Sequence, residues 1–295
     1  MTRFGQTLTA MVSPFGADES LDLEGAQKLA KWLVANGNDG LVIAGTTGEA
    51  PTLTHDEQIA LIEAVVDAVD VPVIAGTGSN DTRAAIELTE RASAAGATAI
   101  LSVTPYYNRP SQDGIVAHFR ACAGATELPV ILYDIPGRTG RKIDTDNIIL
   151  LAQESNIVGL KDAAGNPGET ARVIAETGSD FDVYSGDDAL TLPLLSVGAC
   201  GVIGVATHWA GVEVNEMITA FRRGDVAEAA RINQTLLASW DIETGDSRPN
   251  PIPSKTMLRL LGLPGGQCRL PMGPEPAGLE DLCRKVLSNL GRPGF

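Results

Sequence analysis

Histidine, cysteine and aromatic residues are scarce in this sequence of 295 residues. It has three histidines and four cysteines, and Phe, Trp and Tyr together make up 4% of it. The histidines lie far apart and no two cysteines form a CxxC pair, so the sequence predicts neither a bound metal nor a disulfide framework. We therefore expect the cysteines to be free thiols in a reducing compartment.

Long apolar runs and excess basic residues are also missing. No apolar run is long enough to span a bilayer, and the N-terminal residues lack a signal-peptide pattern. Lys and Arg number 22 against 37 Asp and Glu, which gives a net charge of −15. This charge argues against nucleic acid or an anionic membrane as a partner. We expect a cytoplasmic protein in which any anionic substrate meets a local positive charge inside the site.

The composition, with 44% hydrophobic and 20% charged residues, is that of a globular protein with a large core. Short apolar runs alternate with amphipathic stretches along the first three quarters of the chain. The runs that predict strands are Leu8–Ser13, Gly40–Ala44, Val71–Gly76, Ala99–Thr104, Val130–Ile135, Ile157–Asp162, Phe181–Gly186 and Gly201–Ala206. Near-continuous apolar strands indicate a parallel sheet that is covered on both faces.

The stretches between these runs predict helices, several of which begin after good capping residues. They are Leu23–Asn36, Asp56–Val69, Thr82–Ala95, Ser111–Ala125, Thr145–Glu154, Gly168–Thr177, Ala189–Val197 and Val212–Arg223. Eight strand–helix units favour an α/β fold of the (β/α)8 TIM-barrel type. A Rossmann fold is the alternative, but the glycines at 76 and 78 lack the third glycine of its fingerprint.

The pattern changes after Arg223, and the chain is expected to divide into a barrel, residues 1–224, and a C-terminal helical appendage, residues 225–295. Three helical segments are predicted there, Val226–Trp240, Ser254–Leu261 and Gly278–Asn289, separated by joints rich in proline and glycine.

Lys161 closes the apolar run 157–161, where a lysine is costly to bury. Burial lowers the pKa of an ammonium group and leaves a neutral amine that can attack a carbonyl. Tyr133 closes the run 130–133 and could be its acid–base partner. The alternative is a structural lysine that is paired or that extends to solvent at the strand end.

Other polar residues follow the predicted strands, at the end of a barrel where active sites lie. The loop Gly45–Glu49 (GTTGE) can direct backbone N–H groups and hydroxyls toward a carboxylate. We expect Gly48 to supply a positive φ and Glu49 to tie the loop down. Arg138 offers a guanidinium for a second carboxylate. The acids Asp187 and Asp188 could suggest a metal, but a helix N-cap explains them better.

Five ordered motifs carry a resemblance to a known family. They are GTTGE at 45–49, TPYYN at 104–108, LYDIPGR at 132–138, GLKD at 159–162 and SGDD at 185–188. Together they resemble the dihydrodipicolinate synthases, which belong to the pyruvate-dependent class I aldolases. The similarity runs nearly end to end and includes the segment 250–253 (NPIP).

The resemblance implies a Schiff-base lyase that condenses pyruvate with L-aspartate 4-semialdehyde in lysine biosynthesis. Lys161 would form the imine with pyruvate, and Tyr133 would carry protons to and from the adduct. Thr46 and Tyr107 would complete a hydroxyl relay, with Tyr107 entering from a neighbouring subunit. The resemblance implies no cofactor or metal, and it implies a homotetramer built as a dimer of dimers.

The resemblance also implies the binding residues. Thr47 would hold the carboxylate of pyruvate, and the backbone at Gly186 and Ile203 would shape the pocket. Arg138 would receive the carboxylate of the semialdehyde. Two alternatives stay open: another pyruvate-dependent aldolase, such as an N-acetylneuraminate lyase or a keto-deoxy sugar-acid aldolase, and a catalytically silent barrel that binds or regulates.

Some positions depart from the family pattern. Asp134 stands where many relatives have Asn, and we expect it to face the barrel wall or cap a helix. Ala50, Gln58 and Ala84 stand at positions that are often Ser, His and Glu in relatives inhibited by lysine. Without that Glu, a bound lysine loses its anionic partner, so weak or absent lysine feedback is expected.

Overall fold

A computed structural model describes residues 2–295, and within them eight parallel strands close into a barrel. Each strand pairs with its neighbours in the sequence, and the last strand pairs with the first. The strands are β1 (Thr7–Ala10), β2 (Gly40–Ile43), β3 (Val73–Gly76), β4 (Ala99–Val103), β5 (Val130–Asp134), β6 (Ile157–Asp162), β7 (Asp182–Ser185) and β8 (Gly201–Gly204). The predicted TIM barrel is confirmed.

Helices follow the strands around the outside of the barrel. They are α1 (Leu23–Ala35), α2 (His55–Val66), α3 (Thr82–Ala94), α4 (Gln112–Ala123), α5 (Pro136–Thr139), α6 (Thr145–Leu151), α7 (Pro167–Thr177), α8 (Thr191–Ser196), α9 (Thr207–Arg222), α10 (Val226–Ile242), α11 (Ile252–Leu260) and α12 (Leu279–Asn289). The side chains of Asp22, Thr54 and Asp81 cap α1, α2 and α3 as predicted. None of the described helices is both long and apolar enough to cross a membrane.

Two helices differ from the prediction. α5 follows β5 directly and was not predicted, because four residues that begin with Pro-Gly are too few to show helical periodicity. α9 begins at Thr207 rather than Val212, and its backbone is non-helical at Ala210. This kink interrupts the apolar periodicity, so the sequence pattern does not reveal the first turn of α9.

The core has two layers, one inside the barrel and one between the sheet and the surrounding helices. Side chains that point inward fill the barrel, among them Leu8, Val42, Ile131 and Tyr133. Side chains that point outward pack against the surrounding helices. Because both faces of every strand are covered, the strands are apolar almost throughout, and a polar residue at a strand end is therefore conspicuous.

Helices α10–α12 lie against the barrel rather than apart from it. They share one apolar cluster with α9, whose members include Met217 of α9, Leu236 of α10, Met257 of α11 and Leu287 of α12. The C-terminal helices are thus continuous with the barrel's packing. The division into residues 1–224 and 225–295 stays a prediction.

Candidate active site

Lys161 and Tyr133 are neighbours at the C-terminal end of the barrel. They stand opposite each other in the register of β5 and β6, so their side chains leave the sheet on the same face. The lysine is 4% exposed and the tyrosine 5%. Nζ of Lys161 lies 4.5 Å from the centre of the phenol ring. The strand ends therefore bring the two residues together as the sequence suggested.

The lysine has the electrostatic setting of a nucleophile. Burial lowers the pKa of Lys161 to about 8, against the opposing effect of the carboxyls of Asp188 and Glu243, while Arg138 lowers it further. Neutral amine is therefore available near neutral pH, whereas an exposed lysine would be almost wholly protonated.

Gly186 leaves space for the side chain of Lys161. A Cβ at Gly186 would lie 2.9 Å from Cγ of Lys161 and 3.0 Å from Cε, closer than a real side chain permits. The N–H of Gly186 donates to the carbonyl of Asp162 at 2.7 Å, which fixes the loop after β7. Ile203 is fully buried on β8 and helps to fill the barrel beneath the site.

Tyr133 is a weak acid in the free protein. Burial raises the pKa of Tyr133 to about 12, with Arg138 and the Thr46 side chain acting in the opposite direction. A nearby cation lowers the pKa of a phenol. A positive imine on Lys161 would therefore favour the tyrosinate, and the phenol would become able to give and take a proton.

A cavity of about 400 Å³ opens beside these groups, and Thr46, Tyr133 and Arg138 line it. Arg138 is exposed on α5, directly after β5, where its guanidinium can meet an anion entering from solvent. The cavity continues to Gln58 and Tyr106 on the rim. One continuous space thus joins Thr46 and Tyr133 to the outer surface, and Lys161, beside the ring of Tyr133, is not among the residues that line it.

The loop after β2 is held by the C-terminal appendage. Nδ2 of Asn250 donates to Oγ1 of Thr47 at 2.9 Å in a buried position. Glu49 pairs with Lys255 at 2.6 Å, each side chain being 1% exposed, and the N–H of Arg269 donates to the same carboxylate at 2.9 Å. The expectation that Glu49 ties the loop down is confirmed.

The prediction for Gly48 is wrong. The positive φ values in this region belong to Ala44, at 56°, and Glu49, at 55°, not to the glycine. A Cβ at Gly48 would approach the carbonyl oxygen of Met11 at 3.1 Å and the backbone of Ala44 at 3.3 Å. Glycine is therefore favoured there by the close approach of two backbones and not by the sign of φ.

Tyr107 does not join Thr46 and Tyr133 within this chain. Its φ is +71° and its side chain is 88% exposed. Its N–H donates to the carbonyl of Thr139 at 3.2 Å, which fixes the backbone while the phenol projects into solvent. Such exposure is unusual for so large a ring.

Three comparisons place the chain among known proteins. Residues 3–289 match the model of the dihydrodipicolinate synthetase family. A 4-hydroxy-tetrahydrodipicolinate synthase from Acidothermus cellulolyticus is 53% identical over 272 residues, which cover 91% of this chain and 87% of the relative. The chain belongs to the dihydrodipicolinate synthetase family.

Solved structures agree with this assignment. The dihydrodipicolinate synthase DapA-2 of Bacillus anthracis superimposes with a TM-score of 0.94 at 44% identity, over 98% of this chain and 99% of that one. The enzyme of Cyanidioschyzon merolae with lysine bound has the same TM-score and coverage at 45% identity. Members of this family are lyases of the aldolase type, and this chain is an enzyme of that kind.

Sequence reasoning missed the contribution of the appendage. Asn250, within the NPIP segment of the family resemblance, reaches Thr47 across 203 residues of sequence, and Lys255 reaches Glu49 across a similar distance. Neither lies at the end of a strand, which was the signal used for the other site residues. No local pattern could have linked them to the loop.

Three acidic residues of the site region lie in three different environments. Asp187 caps the turn after β7 as predicted, but Asp188 is buried and accepts the N–H groups of Val205 and Ala206 instead. Asp134 faces outward from β5, where its Oδ1 accepts the N–H of Ile143 at 3.2 Å. Burial raises the pKa of Asp134 to about 7.

Residues 2–295 contain no group of three or more His, Cys, Asp or Glu side chains that could hold a metal ion.

Proposed function

We propose that this protein condenses pyruvate with L-aspartate 4-semialdehyde to give 4-hydroxy-tetrahydrodipicolinate, with Lys161 as the nucleophile. One observation carries the proposal: a buried lysine without an ion pair, 4.5 Å from the ring of a buried tyrosine, in a chain of this family. A lysine so placed has no structural partner to account for its burial.

The reaction follows from the neutral amine. Nζ of Lys161 attacks the ketone carbon of pyruvate, and loss of water gives a protonated imine. The imine withdraws electrons from the methyl group, which loses a proton and becomes an enamine. The enamine carbon attacks the aldehyde. The amino group of the semialdehyde then attacks the imine carbon, closes the ring and releases Lys161.

Each step moves a proton, so a group able to act as both acid and base must lie close to the adduct. We assign this role to Tyr133, which touches the lysine. Thr46 lines the same cavity and would pass the proton onward. Tyr107 would complete the relay from the partner subunit of a dimer, which accounts for its 88% exposure in the single chain.

The two carboxylates of the substrates would bind at different points. Thr47, its hydroxyl oriented by Asn250, would donate to the carboxylate of pyruvate. The backbone at Gly186 and Ile203 would bound the pocket. Arg138 at the mouth would bind the carboxylate of the semialdehyde through its planar guanidinium.

Trapping tests the proposal directly. The protein is incubated with pyruvate and sodium borohydride, and the adduct is mapped by mass spectrometry. We expect a reduced pyruvate adduct on Lys161 and on no other lysine. If Lys161 stays unmodified, the enzymatic interpretation is wrong, whether the aldehyde is this one or another.

A screen of aldehydes then separates the two aldolase alternatives. We expect turnover with L-aspartate 4-semialdehyde and none with N-acetylmannosamine, the aldehyde partner in N-acetylneuraminate cleavage. A preference for the sugar would favour the other branch of the aldolases. The presence of both Lys161 and Tyr133 argues against a silent barrel.

We also propose that the protein acts as a homotetramer in the cytoplasm. The exposed ring of Tyr107 supports a shared interface, and four free cysteines suit a reducing compartment. Native mass spectrometry should find four copies. Fully active monomers would show that the relay does not need the partner's tyrosine.

A further inference from the structure

His208 is a fully buried histidine that has no part in the reaction described above. It lies in the first turn of α9, just after β8, at the end of the barrel that carries Lys161. Nε2 of its ring accepts the N–H of Val12 at 3.1 Å, and Nδ1 donates to the carbonyl of Val205 at 2.7 Å. The imidazole therefore bridges two backbone segments that are far apart in sequence.

The two backbone partners fix the state of the ring. A backbone N–H can only donate, so Nε2 carries no proton, and a carbonyl can only accept, so the proton is on Nδ1. Burial lowers the pKa of His208 to about 4, which agrees with a neutral ring at neutral pH. The bridge is thus one specific tautomer with one donor and one acceptor.

The bridge lies where the backbone pairing between the first and last strands stops. The last residues of β1 and β8 that pair are Thr9 and Gly204. Just past β1, the N–H of Met11 donates to Val42 of β2 and not to the β8 side. Beyond the strands, the ring of His208 supplies the connection between the segment after β1 and the turn after β8.

The segment after β1 holds the loop that carries Thr47. Oγ of Ser13, which is fully buried, donates to the carbonyl of Gly48 at 2.5 Å. A Cβ at Gly48 would lie 3.1 Å from the carbonyl oxygen of Met11, so the two backbones pass close to each other. A shift of residues 11–13 should therefore move the loop 45–49 as well.

The turn after β8 is attached to the wall beside Lys161. The N–H of Val205 donates to Oδ2 of Asp188 at 2.8 Å, while its carbonyl accepts from the ring of His208. Asp188 is two residues beyond Gly186, where a Cβ would collide with the side chain of Lys161. A connected path of hydrogen bonds thus runs around the rim from this wall to the loop 45–49.

We propose that His208 is a positioning residue for pyruvate, because its imidazole holds the loop that carries Thr47 in place relative to the wall that carries Lys161. Pyruvate would span the two sides, with its carboxylate on Thr47 and its ketone carbon on Nζ of Lys161. A displacement of one side relative to the other should weaken binding of so short a molecule. The inference rests on the proposed function, and His208 itself touches neither substrate nor reacting atoms.

Other contacts anchor the first turn of α9, so the ring can be changed without releasing the turn. Oγ1 of Thr207 lies 2.7 Å from Oγ1 of Thr9, and Nδ2 of Asn38 donates to the carbonyl of Thr207 at 3.3 Å. The backbone N–H of His208 donates to the carbonyl of Val205 at 3.1 Å, whatever the side chain. Variants of His208 should therefore fold.

Two substitutions separate the long-range bond from the local one. In His208→Gln, Oε1 can take the place of Nε2 and accept the N–H of Val12. In His208→Asn, the shorter amide can replace Nδ1 as donor to Val205 but does not extend to Val12. We expect KM for pyruvate to rise by about tenfold in His208→Asn and by less than about threefold in His208→Gln, with kcat within about threefold of the wild type in both.

His118→Asn is the matched control. His118 is also buried, at 4% exposed, and its Nδ1 lies 3.0 Å from Oγ1 of Thr82, a contact between the outer helices α4 and α3. The same change of side chain there should lower the midpoint of thermal unfolding and leave KM for pyruvate unchanged. A purely structural role of His208 would give this result at both positions.

Ser13→Ala tests the next link of the path without changing the ring. It removes the bond to the carbonyl of Gly48, so KM for pyruvate should rise by about threefold or more. The inference is overturned if His208→Asn has the KM of the wild type, or if the Asn and Gln variants raise KM equally. Thermal unfolding shows whether each variant is folded. Should His208→Asn not fold, an unchanged KM in Ser13→Ala overturns the inference instead.

The borohydride experiment keeps this test apart from that of the proposed function. If the wild type forms no pyruvate adduct on Lys161, the proposed function fails and the inference falls with it. A normal adduct together with an unchanged KM in His208→Asn defeats the inference alone.

Discussion

Two lysines are buried, Lys161 in the barrel and Lys255 in the appendage. They differ in the groups that surround their side-chain nitrogens. Nζ of Lys255 lies 2.6 Å from a carboxylate oxygen of Glu49, donates to the carbonyl of Gln267 at 3.0 Å and stands over the ring of Phe15. Nζ of Lys161 has neither an ion pair nor a hydrogen bond within residues 2–295. Its close neighbour is the ring of Tyr133.

The difference separates a lysine that is buried in a structural ion pair from a lysine whose amine is free to react. The positive charge of Lys255 is matched by an equally buried carboxylate, and the pair holds the loop after β2 against the appendage. The positive charge of Lys161 is only partly offset by carboxyls farther away, so its amine is easily deprotonated. Burial alone therefore does not mark a nucleophile; burial without a partner does.

Lys161→Met should have the largest effect on activity. Without the amine no imine can form, and we expect kcat to fall by at least about 10⁴-fold. The midpoint of thermal unfolding should stay the same or rise, because an apolar side chain replaces an unpaired buried amine. Steady-state kinetics and calorimetry measure both. A variant that keeps a hundredth of the activity would contradict the comparison.

Lys255→Met should have the opposite effect to Lys161→Met: stability should fall while the lysine that forms the imine stays in place. The carboxylate of Glu49 would be left buried and unpaired, at a cost of about 3–5 kcal/mol in the free energy of unfolding. Borohydride should still trap pyruvate on Lys161, with a higher KM because the loop that carries Thr47 is loosened. Urea unfolding at fixed protein concentration gives the free energy.

The double variant Glu49→Gln with Lys255→Met is the control for this loss. It removes both charges at once, so at least half of the lost stability should return. If the double variant is as unstable as Lys255→Met alone, the loss reflects packing around Phe15 rather than an unpaired charge.

The pH dependence of stability should also distinguish the lysine without a partner. The pKa of Lys161 is about 8 in the folded state and 10.5 ordinarily. Between these values the unfolded state binds more protons, so this group makes the free energy of unfolding rise with pH, by at most about 1.4 kcal/mol per pH unit. Lys161→Met should lose this contribution, which urea unfolding at several pH values would show as a changing difference from the wild type.

Inhibition by free L-lysine is the smallest effect that we expect. Like Lys255, a bound lysine needs a carboxylate for its ammonium, and Ala84 stands where inhibited relatives often have Glu. Gln58 donates its amide to the carbonyl of Ala50 at 3.0 Å and is thus already engaged. We expect less than half inhibition at about 10 mM lysine. An inhibition constant in the low-millimolar range or tighter would show that another group supplies the charge.

Much of the site could be predicted because it lies at strand ends. Lys161 and Tyr133 each close an apolar run, and parallel strands of a barrel deliver such residues to one rim. The loop 45–49 and Arg138 follow strands in the same way. The family motifs then supplied roles that spacing alone left open.

The rest depended on contacts between distant parts of the chain. Asn250 and Lys255 lie in the appendage, and nothing in their local sequence points to Thr47 or Glu49. The backbone at Gly48 was misjudged for the same reason, since its need for glycine comes from Met11 on a neighbouring strand's loop.

The sequence by itself favoured the barrel, because eight strand–helix units with apolar strands fit a closed parallel sheet covered on both faces, and the Rossmann fingerprint is incomplete. It also determined that a lysine would lie near the end of the sixth strand. Only the tertiary structure decided that this lysine has no ion pair while Lys255 has one. Ion pairing depends on distances of a few ångströms between side chains that are far apart in sequence, and no local pattern specifies those distances.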